Sequence, residues 1–331
     1  MMRAFSRILL LAACVLAASA HAHHLLDWTF VDLGELHPGG QSFGIAVNNR
    51  GAVAGYAGAP SGAMHAILWQ DGVLHDLGVP PGAAEVFVTD MNADGRILGQ
   101  TFEGNAVTWK DGTWTFLGLR ADVAAINRHD DIAGTSFNGG VERGFVLRDG
   151  VLTDLGALEG GIASRVTAMN DAAHVVGRAS VSQDVAHAFL WANGGMRDLG
   201  TLGRRSSAAT AINKHDVVVG VASDDDQSPV TGFLWYGRMF RLLPAFTGVF
   251  PTAINEHSDI VGRIESRNIA FLAADGELVS LDALPAVRAS RFSGLTPNAI
   301  NDRRWIVGTG QAPSGGDHAF LLMPNSSSGL Q

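Results

Sequence analysis

One asparagine recurs along the chain, and each copy is followed by a glycine seven residues later. The asparagines are Asn48, Asn92, Asn127, Asn170, Asn213, Asn255 and Asn301, with successive spacings of 44, 35, 43, 43, 42 and 46 residues. The glycines are Gly55, Gly99, Gly134, Gly177, Gly220, Gly262 and Gly308. Self-similarity at a period of about 40 residues is typical of propellers and solenoids. We therefore expect the 331 residues to form one repeated structure instead of two unrelated domains.

Each copy predicts four short strands. The first strand ends at the asparagine, and the second is a β-branched run such as 217–219. The third strand has the form H-A-F-L-W at 187–191, and the fourth has the form D-L-G at 198–200. In five copies Asp-Gly or Asn-Gly separates the third and fourth strands, which is the sequence that a type I′ hairpin turn favours. The second and third strands are apolar almost throughout, as expected when both faces of a sheet are buried. Propeller blades meet that requirement.

The two ends of the repeat are complementary. The seventh copy has a third strand at 318–322 but no Asp-Gly turn and no fourth strand. A fourth strand without a copy of its own stands at 28–34, before the first repeat. An open solenoid would need polar caps at both ends. The sequence therefore predicts an all-β fold, a seven-bladed β-propeller of four-stranded blades whose last blade is closed by the N-terminal strand.

A polar pairing between the third and fourth strands supports this closure. The first residue of the third strand lies diagonal to the D-L-G aspartate on the same face, within reach of a long side chain. The predicted pairs are His65 with Asp76, Arg143 with Asp154, His187 with Asp198, and His318 with Asp32. The last pair is expected to meet across the closure of the ring. Because the pair recurs in several blades, we interpret it as a structural clamp and not as a catalytic base or metal ligand.

The N-terminus is typical of a secretory signal peptide. Arg3 and Arg7 precede an apolar run, and small residues follow, so residues 1–20 are assigned to the signal and 21–27 to a leader. The propeller is expected at 28–323 and a flexible tail at 324–331. Leu11-Ala12-Ala13-Cys14 resembles a lipobox, so a lipoprotein anchored through Cys14 is the alternative. The remaining chain has no cysteine and hence no disulfide.

Charge and hydropathy restrict the partners and the location. Loss of Arg3 and Arg7 changes the net charge from −9 to −11, which disfavours nucleic acids and anionic membranes. No stretch after the signal is long and apolar enough to span a bilayer. The sequence therefore predicts a secreted or periplasmic monomer.

The motifs A-I-N, V-V-G, H-A-F-L-W and D-L-G-T-L-G resemble those of the HAF repeat family of probable extracellular bacterial proteins. The resemblance is best at 187–191, 198–203 and 211–213 and covers nearly the whole chain after the signal. The second, fifth and sixth copies depart from it, because their H-A-F and D-L-G residues are partly replaced. The resemblance implies secretion and repetition, and it implies no defined activity.

Two weaker signals concern metals. Residues 90–97, D-M-N-A-D-G-R-I, match the opening of a calcium loop, but Thr101 stands where that loop needs a bidentate glutamate. We interpret the segment as a polar hairpin turn. His21, His23 and His24 would lie at the mature N-terminus, where a free amine and a third-position histidine can bind copper or nickel. We interpret them as flanking sequence, so no metal or other cofactor is predicted.

Loops of irregular length mark the face where a ligand is expected. Connections between second and third strands, and between blades, vary in length and emerge on the same face, and binding residues often lie on such loops. The candidate binding residues there are Arg204, Arg205, Asp224, Asp225, Asp226, Arg263, Glu265 and Arg267. The predicted function is binding of an extracellular protein or glycan. The alternative is a hydrolase or lyase that acts on a glycan through carboxylates at the channel mouth. The fold alone does not choose between them.

Overall fold

The computed structural model describes residues 28–225 and 228–325. They form seven antiparallel sheets of four strands each, which confirms the predicted seven-bladed β-propeller. The assigned signal peptide, the leader and residues 326–331 lie outside the described residues, as does Asp226. No helix within these ranges is long and apolar enough to cross a bilayer.

Six blades each use four consecutive strands of the chain. The strands of blades 1 to 3 are β2 (Ser42–Val47), β3 (Val53–Gly58), β4 (Met64–Gln70), β5 (Val73–Gly78), β6 (Val86–Met91), β7 (Ile97–Thr101), β8 (Asn105–Lys110), β9 (Thr113–Arg120), β10 (Asp122–Ile126), β11 (Ile132–Asn138), β12 (Val141–Arg148) and β13 (Val151–Asp154). Those of blades 4 to 6 are β14 (Ser164–Met169), β15 (Val175–Ser182), β16 (Val185–Ala192), β17 (Gly195–Gly200), β18 (Ser206–Ile212), β19 (Val218–Ser223), β20 (Thr231–Trp235), β21 (Met239–Arg241), β22 (Val249–Ile254), β23 (Ile260–Ile264), β24 (Ile269–Ala274) and β25 (Glu277–Ser280).

Blade 7 is built from both ends of the described chain. Its strands are β26 (Ser293–Ile300), β27 (Ile306–Gln311), β28 (Asp317–Pro324) and β1 (Trp28–Asp32). β1 pairs with β28 from Trp28 opposite Pro324 to Asp32 opposite Phe320. The strand therefore extends one residue beyond the predicted boundary at 323. Short helical segments occur only near blade 6 among the described residues: 3₁₀ turns at Glu265–Arg267 and Leu281–Ala283, and helix α1 at Pro285–Ser290.

The first strand of each blade lies innermost, because successive first strands contact one another around the ring. They therefore surround a central channel. The turns after the asparagines and the Asp-Gly turns lie on one face, which we call the short-turn face. The connections between second and third strands, and those between blades, lie on the opposite face, which we call the long-loop face.

The recurring glycines allow the innermost strand to bulge. The first strand of every blade has a register shift beside its glycine, for example between Ala209 and Ala211 opposite Gly220. A Cβ atom at Gly220 would lie 2.2 Å from the Ala208 carbonyl oxygen. The corresponding distance to first-strand backbone oxygen is at most 2.7 Å at all seven glycines. Only glycine therefore fits where the bulged strand approaches its neighbour this closely.

The core lies between the blades. The phenylalanine of the H-A-F motif is at most 1% exposed in five blades, at Phe145, Phe189, Phe233, Phe271 and Phe320. Blades 1 and 2 have the smaller Ile67 and Val107 at this position, and both are also buried. Burying a phenylalanine side chain stabilises a fold by about 1.5–3 kcal/mol, so these positions hold adjacent sheets together.

Candidate functional site

The short-turn face is occupied by the seven asparagines, all of which are buried. Each Oδ1 accepts the backbone N–H groups two and four residues later, as Asn213 does from His215 and Val217 at 3.0 and 3.1 Å. Five of the amides also donate to the carbonyl of the next blade's asparagine, including Asn301 to Asn48 at 2.9 Å. These side chains therefore close the turns and link the blades.

The four pairs predicted between third and fourth strands are in contact. Nδ1 of His65 and of His187 lies 2.9 and 2.7 Å from Asp76 and Asp198, respectively. Arg143 Nε donates to Asp154 at 3.2 Å. His318 Nδ1 lies 3.1 Å from Asp32 Oδ1, across the junction of the two chain ends.

His318 has a second carboxylate beside it. Its side chain is 6% exposed, and its Nε2 lies 3.3 Å from Glu35 Oε2 without hydrogen-bond geometry. The imidazole at the closure of the ring is therefore enclosed by two acidic side chains. Neither the other two histidine pairs nor the arginine pair is as deeply buried.

Three buried serines extend these clamps to the next blade. Ser42, Ser164 and Ser207 donate to the carbonyls of Gly34, Gly156 and Gly200 at 2.5–2.6 Å. Each serine also accepts the N–H of the residue after the paired base, at 2.8–3.0 Å. Each of these glycines in turn donates its N–H to the clamp aspartate two residues before it. The sequence contained the signal, a serine seven or eight residues after the D-L-G glycine, but its partners follow only from the packing.

The candidate binding residues of blade 5 are held within their own loops. Arg204 forms an ion pair of 2.5 Å with Asp224 and donates to Thr231 at 3.2 Å. The backbone N–H of Arg205 donates to the same aspartate at 3.1 Å. Asp225 accepts the N–H of Ser228. These contacts order the long-loop face of blade 5, and a ligand role for these residues stays a prediction.

The candidate residues of blade 6 are likewise engaged. The Arg263 guanidinium donates to the Leu295 carbonyl, to Thr296 at 3.2 Å and to Asn268 at 2.6 Å. Arg267 lies over the ring of Phe246, 4.9 Å from its centroid. Glu265 begins the 3₁₀ turn that carries Arg267. Their role in binding also stays a prediction.

The calcium-like segment forms a hairpin between β6 and β7. Asn92 Oδ1 accepts the N–H groups of Asp94 and Arg96, and Asp94 forms an ion pair of 2.6 Å with Arg50. Asp90 points elsewhere, because it accepts N–H groups from Met91 and from Ile126 of the next blade. Within the described ranges, no group of three or more His, Cys, Asp or Glu side chains is arranged to hold a metal ion.

The channel mouth on the long-loop face is lined by the residue five positions before each asparagine. In all seven blades this residue is partly exposed and stands between two buried neighbours. The seven residues are Phe43, Phe87, Asp122, Arg165, Ala208, Phe250 and Thr296. The position is structurally equivalent in every blade, yet its residue type differs from blade to blade. The fold therefore does not dictate the residue there, and the differences can provide contacts to a ligand. Aligning the repeats on the asparagine would have revealed this position from the sequence.

Aromatic side chains cluster at the mouth beside blades 1 and 2. Tyr56 stacks on Phe43 with ring centroids 5.0 Å apart and meets Phe87 edge-on at 5.4 Å. Burial raises the pKa of the Tyr56 hydroxyl. Gln100, the cross-strand neighbour of Phe87, has a buried Oε1 with no hydrogen-bond partner among the described residues. The cluster therefore offers apolar rings together with amide and hydroxyl groups that can bind a ligand.

Charged side chains cluster at the mouth beside blades 3 and 4. Arg165 donates to Asp122 at 2.9 Å and to Glu142 at 2.7 Å. The three side chains are between 31% and 40% exposed, so the group is open to solvent. The Arg165 guanidinium is fixed by two carboxylates from blade 3, which orients it across the interface between the blades.

Asp90 differs from the residue at the equivalent position of every other blade. The other six copies have alanine two residues before the asparagine. Its carboxylate accepts the Ile126 N–H at 2.8 Å and the Met91 N–H at 2.7 Å. Burial raises its pKa to about 6 in spite of these two bonds. The side chain is partly exposed and lies where the first strands of blades 2 and 3 meet.

A cleft of about 260 Å³ lies between blades 3 and 4 on the short-turn side. Arg148, His174 and Trp191 are among its lining residues. Arg148 is bonded to the buried Asp131 at 2.9 and 3.0 Å, and His174 lies 2.8 Å from Asp216. The polar groups of this cleft are therefore already engaged within the protein.

The chain has no match among family models, and no curated protein matches its sequence. Its fold is similar to that of a catalytically inactive virginiamycin B lyase from Staphylococcus aureus with quinupristin, at 15% identity over 90% of this chain and 99% of that chain, with a TM-score of 0.60. It is also similar to an oligogalacturonate lyase in complex with manganese, at 12% identity over 90% and 93% of the chains, with a TM-score of 0.59. YCF48 bound to the D1 peptide gives 10% identity, 92% and 97% coverage and a TM-score of 0.56. At these identities the likeness shows the propeller fold alone.

Proposed function

We propose that the protein is a binding module whose ligand lies on the long-loop face, over the channel mouth and blades 1 to 4. The observation that carries the proposal is the exposure of large apolar side chains on this face. Phe102, Phe137 and Ile162 are 71%, 55% and 68% exposed. Phe102 lies in the connection between β7 and β8, Phe137 near the end of β11, and Ile162 in the connection between β13 and β14. Exposed apolar groups gathered beside a polar centre are typical of interaction sites.

The state of the carboxylates at the mouth favours binding over acid–base catalysis. Asp122 and Glu142 are both ion-paired to Arg165, at 2.9 and 2.7 Å. A carboxylate that acts as a general acid or base must reach a proton of the substrate, whereas the oxygens of these two carboxylates already accept hydrogen bonds from the guanidinium. YCF48, a propeller of similar fold, is bound to a peptide, and peptides are one of the ligand classes that this proposal includes.

The cellular location of the protein is part of the same proposal. We infer from residues 1–20 that the chain acts outside the cytoplasm, as the resemblance to the HAF repeat family implies. The ligand is then an extracellular or periplasmic protein or glycan. N-terminal sequencing of the protein recovered from a native host would test the cleavage after residue 20 and the alternative at Cys14.

Glycan and peptide arrays test the binding function. The chain without residues 1–20 is applied together with a variant that carries Phe102→Ser and Ile162→Ser. Val151→Ser is the matched control, since Val151 is 65% exposed on the outer strand of blade 3, away from the channel. We expect ligands that bind the wild type and the control but not the double variant. Equal binding by all three proteins would contradict the proposal, and a product assay on each ligand would detect catalysis.

A further inference from the structure

Arginines occupy the same repeat position in blades 4 and 6, eight residues after the asparagine. Arg263 in blade 6 is saturated by acceptors of blade 7 and of its own loop. Arg178 in blade 4 is exposed, and its side chain has no hydrogen bond, ion pair or ring contact to any residue in 28–225 or 228–325. The two guanidinium groups therefore differ in one respect: Arg178 is available to an external anion.

Arg178 also faces a second positive charge. It pairs with Arg165 in the register of β14 and β15, so the two side chains leave the same face of the sheet. Directly opposed like charges are destabilising in a sheet. Asp122 and Glu142 compensate Arg165, but no carboxylate compensates Arg178 within the part of the chain that the structure describes. A carboxylate from a ligand would supply that charge through a bidentate contact.

The three exposed apolar side chains belong to segments that are linked, contact by contact, to the charged group of Asp122, Glu142 and Arg165. Phe137 lies directly opposite Glu142 in the register of β11 and β12. The Ile162 carbonyl accepts a hydrogen bond of 2.8 Å from Arg143, the residue after Glu142. The loop of Phe102 is joined to the start of blade 3, because Ala121 N–H donates to the Gly104 carbonyl at 3.2 Å.

This arrangement has the composition of a protein-binding surface. Arginine and aromatic residues carry much of the binding energy at protein interfaces, where apolar side chains exclude water from polar contacts. Apolar side chains of a peptide would cover Phe102, Phe137 and Ile162 and remove their apolar surface from water.

We propose that this surface binds a polypeptide segment in which an acidic side chain pairs with Arg178 and flanking apolar side chains pack on Phe102, Phe137 and Ile162. The inference rests on the proposed function, because it names the ligand class of the same face. The recognition motif is one aspartate or glutamate between apolar residues, and it needs no defined secondary structure beyond an extended segment.

Selection from a random peptide display library on the chain without residues 1–20 tests this proposal. We expect enrichment of Asp or Glu flanked by apolar residues. The affinity of one selected peptide is then measured by fluorescence anisotropy, together with its variants in which the acid is replaced by the amide or by lysine. Loss of one charged hydrogen-bonded contact weakens binding about 10–100-fold. Arg178→Glu should weaken the acidic peptide at least that much and should make the lysine peptide the better ligand.

Two further variants separate the possible outcomes. Arg303→Glu makes the same charge change at an exposed arginine on the short-turn face, and it should leave the affinity unchanged. Arg178→Gln, a milder change, should remove the preference for the acid over the amide. Selected peptides without a carboxylate, or equal affinity of wild type and Arg178→Glu, would overturn the ligand assignment. If those ligands still fail to bind the Phe102→Ser, Ile162→Ser variant, the binding function survives; if they bind it equally well, the binding function fails too.

Discussion

Asp90 makes the stability of the propeller depend on pH between about 4 and 6. Burial raises its pKa from 3.8 to about 6 in the folded protein. The native state therefore keeps this proton at pH values where the unfolded chain has released it. The stabilisation is fully present below pH 3.8 and is lost as the pH rises to about 6. One pKa unit corresponds to about 1.36 kcal/mol, so the upward shift predicts a loss of at most about 3 kcal/mol. Because the side chain is partly exposed, solvent screening lowers the expected loss to about 1–3 kcal/mol.

Asp90→Asn removes the charge and keeps one oxygen that can still accept the Ile126 N–H. The bond from Met91 that it loses does not titrate, so the pH dependence isolates the charge. Asp90→Ala would restore the residue of the other six copies but leave that N–H without an acceptor. Urea unfolding is measured from pH 4 to 7.5 for the wild type, for Asp90→Asn and for Asp94→Asn. Asp94, on the same hairpin, is 60% exposed and paired with Arg50, so it serves as the control. The unfolding free energy of Asp90→Asn minus that of the wild type should rise by about 1–3 kcal/mol between pH 4 and 6 and stay constant above. A difference that is independent of pH would refute the reasoning.

Three further pairs of substitutions test the repeat itself by urea unfolding at pH 7. Gly220→Ala should destabilise the protein by about 2 kcal/mol or more, because its Cβ would lie 2.2 Å from a backbone oxygen. Gly195→Ala, whose Cβ would have its nearest neighbour at 4.0 Å, should change stability by less than about 0.5 kcal/mol. Similar effects of the two substitutions would contradict the close approach at Gly220. Asn213→Ala should cost about 1 kcal/mol more than Asn48→Ala, because only the first removes an amide bond to the next blade; equal costs would show that the ring of amides adds nothing. Asp32→Ala should lower the unfolding free energy by about 1–3 kcal/mol, and by more than Asp76→Ala does. The reason is that it removes the closest carboxylate from His318, whose side chain is only 6% exposed. The reverse order would argue against a special role for the pair at the closure.

The fold followed from the sequence because its determinants are local and repeated. The asparagine turn, the glycine at the bulge and the Asp-Gly hairpins each need only a few neighbouring residues. The closure needed one long-range inference, the match between a missing fourth strand and an unassigned one, and the pairing of β1 with β28 confirms it. Contacts between blades could not be predicted from the sequence in the same way. The serine link at Ser42 joins residues 277 positions apart, and no local pattern specifies its partner.

The candidate site was harder to predict, because a sequence does not distinguish a charged side chain that is paired within the protein from one that is available to a ligand. Arg204 and Arg178 are both arginines in blades of the same repeat, yet the first is held by Asp224 and the second has no partner among the described residues. Which carboxylates lie within reach is decided by loop conformation. In the sequence Asp90 begins a calcium-like segment, but its distinctive feature is that it replaces the alanine of the other six copies. Comparing equivalent positions across copies, instead of searching for motifs, would have singled it out.

The junction in blade 7 also determines how the molecule can be attached to anything else. Trp28 and Pro324 are paired at the place where the other blades have their Asp-Gly turn, and Thr29 donates to Asn325 beside them at 2.7 Å. Both ends of the described chain therefore leave the propeller from the short-turn face. A group attached at Trp28 or Asn325 therefore starts from that face, whereas the connections that carry Phe102 and Ile162 lie on the opposite face. A terminal fusion is thus the orientation of choice for immobilised binding assays, and a label in the connection between β15 and β16 would report directly on ligand contact.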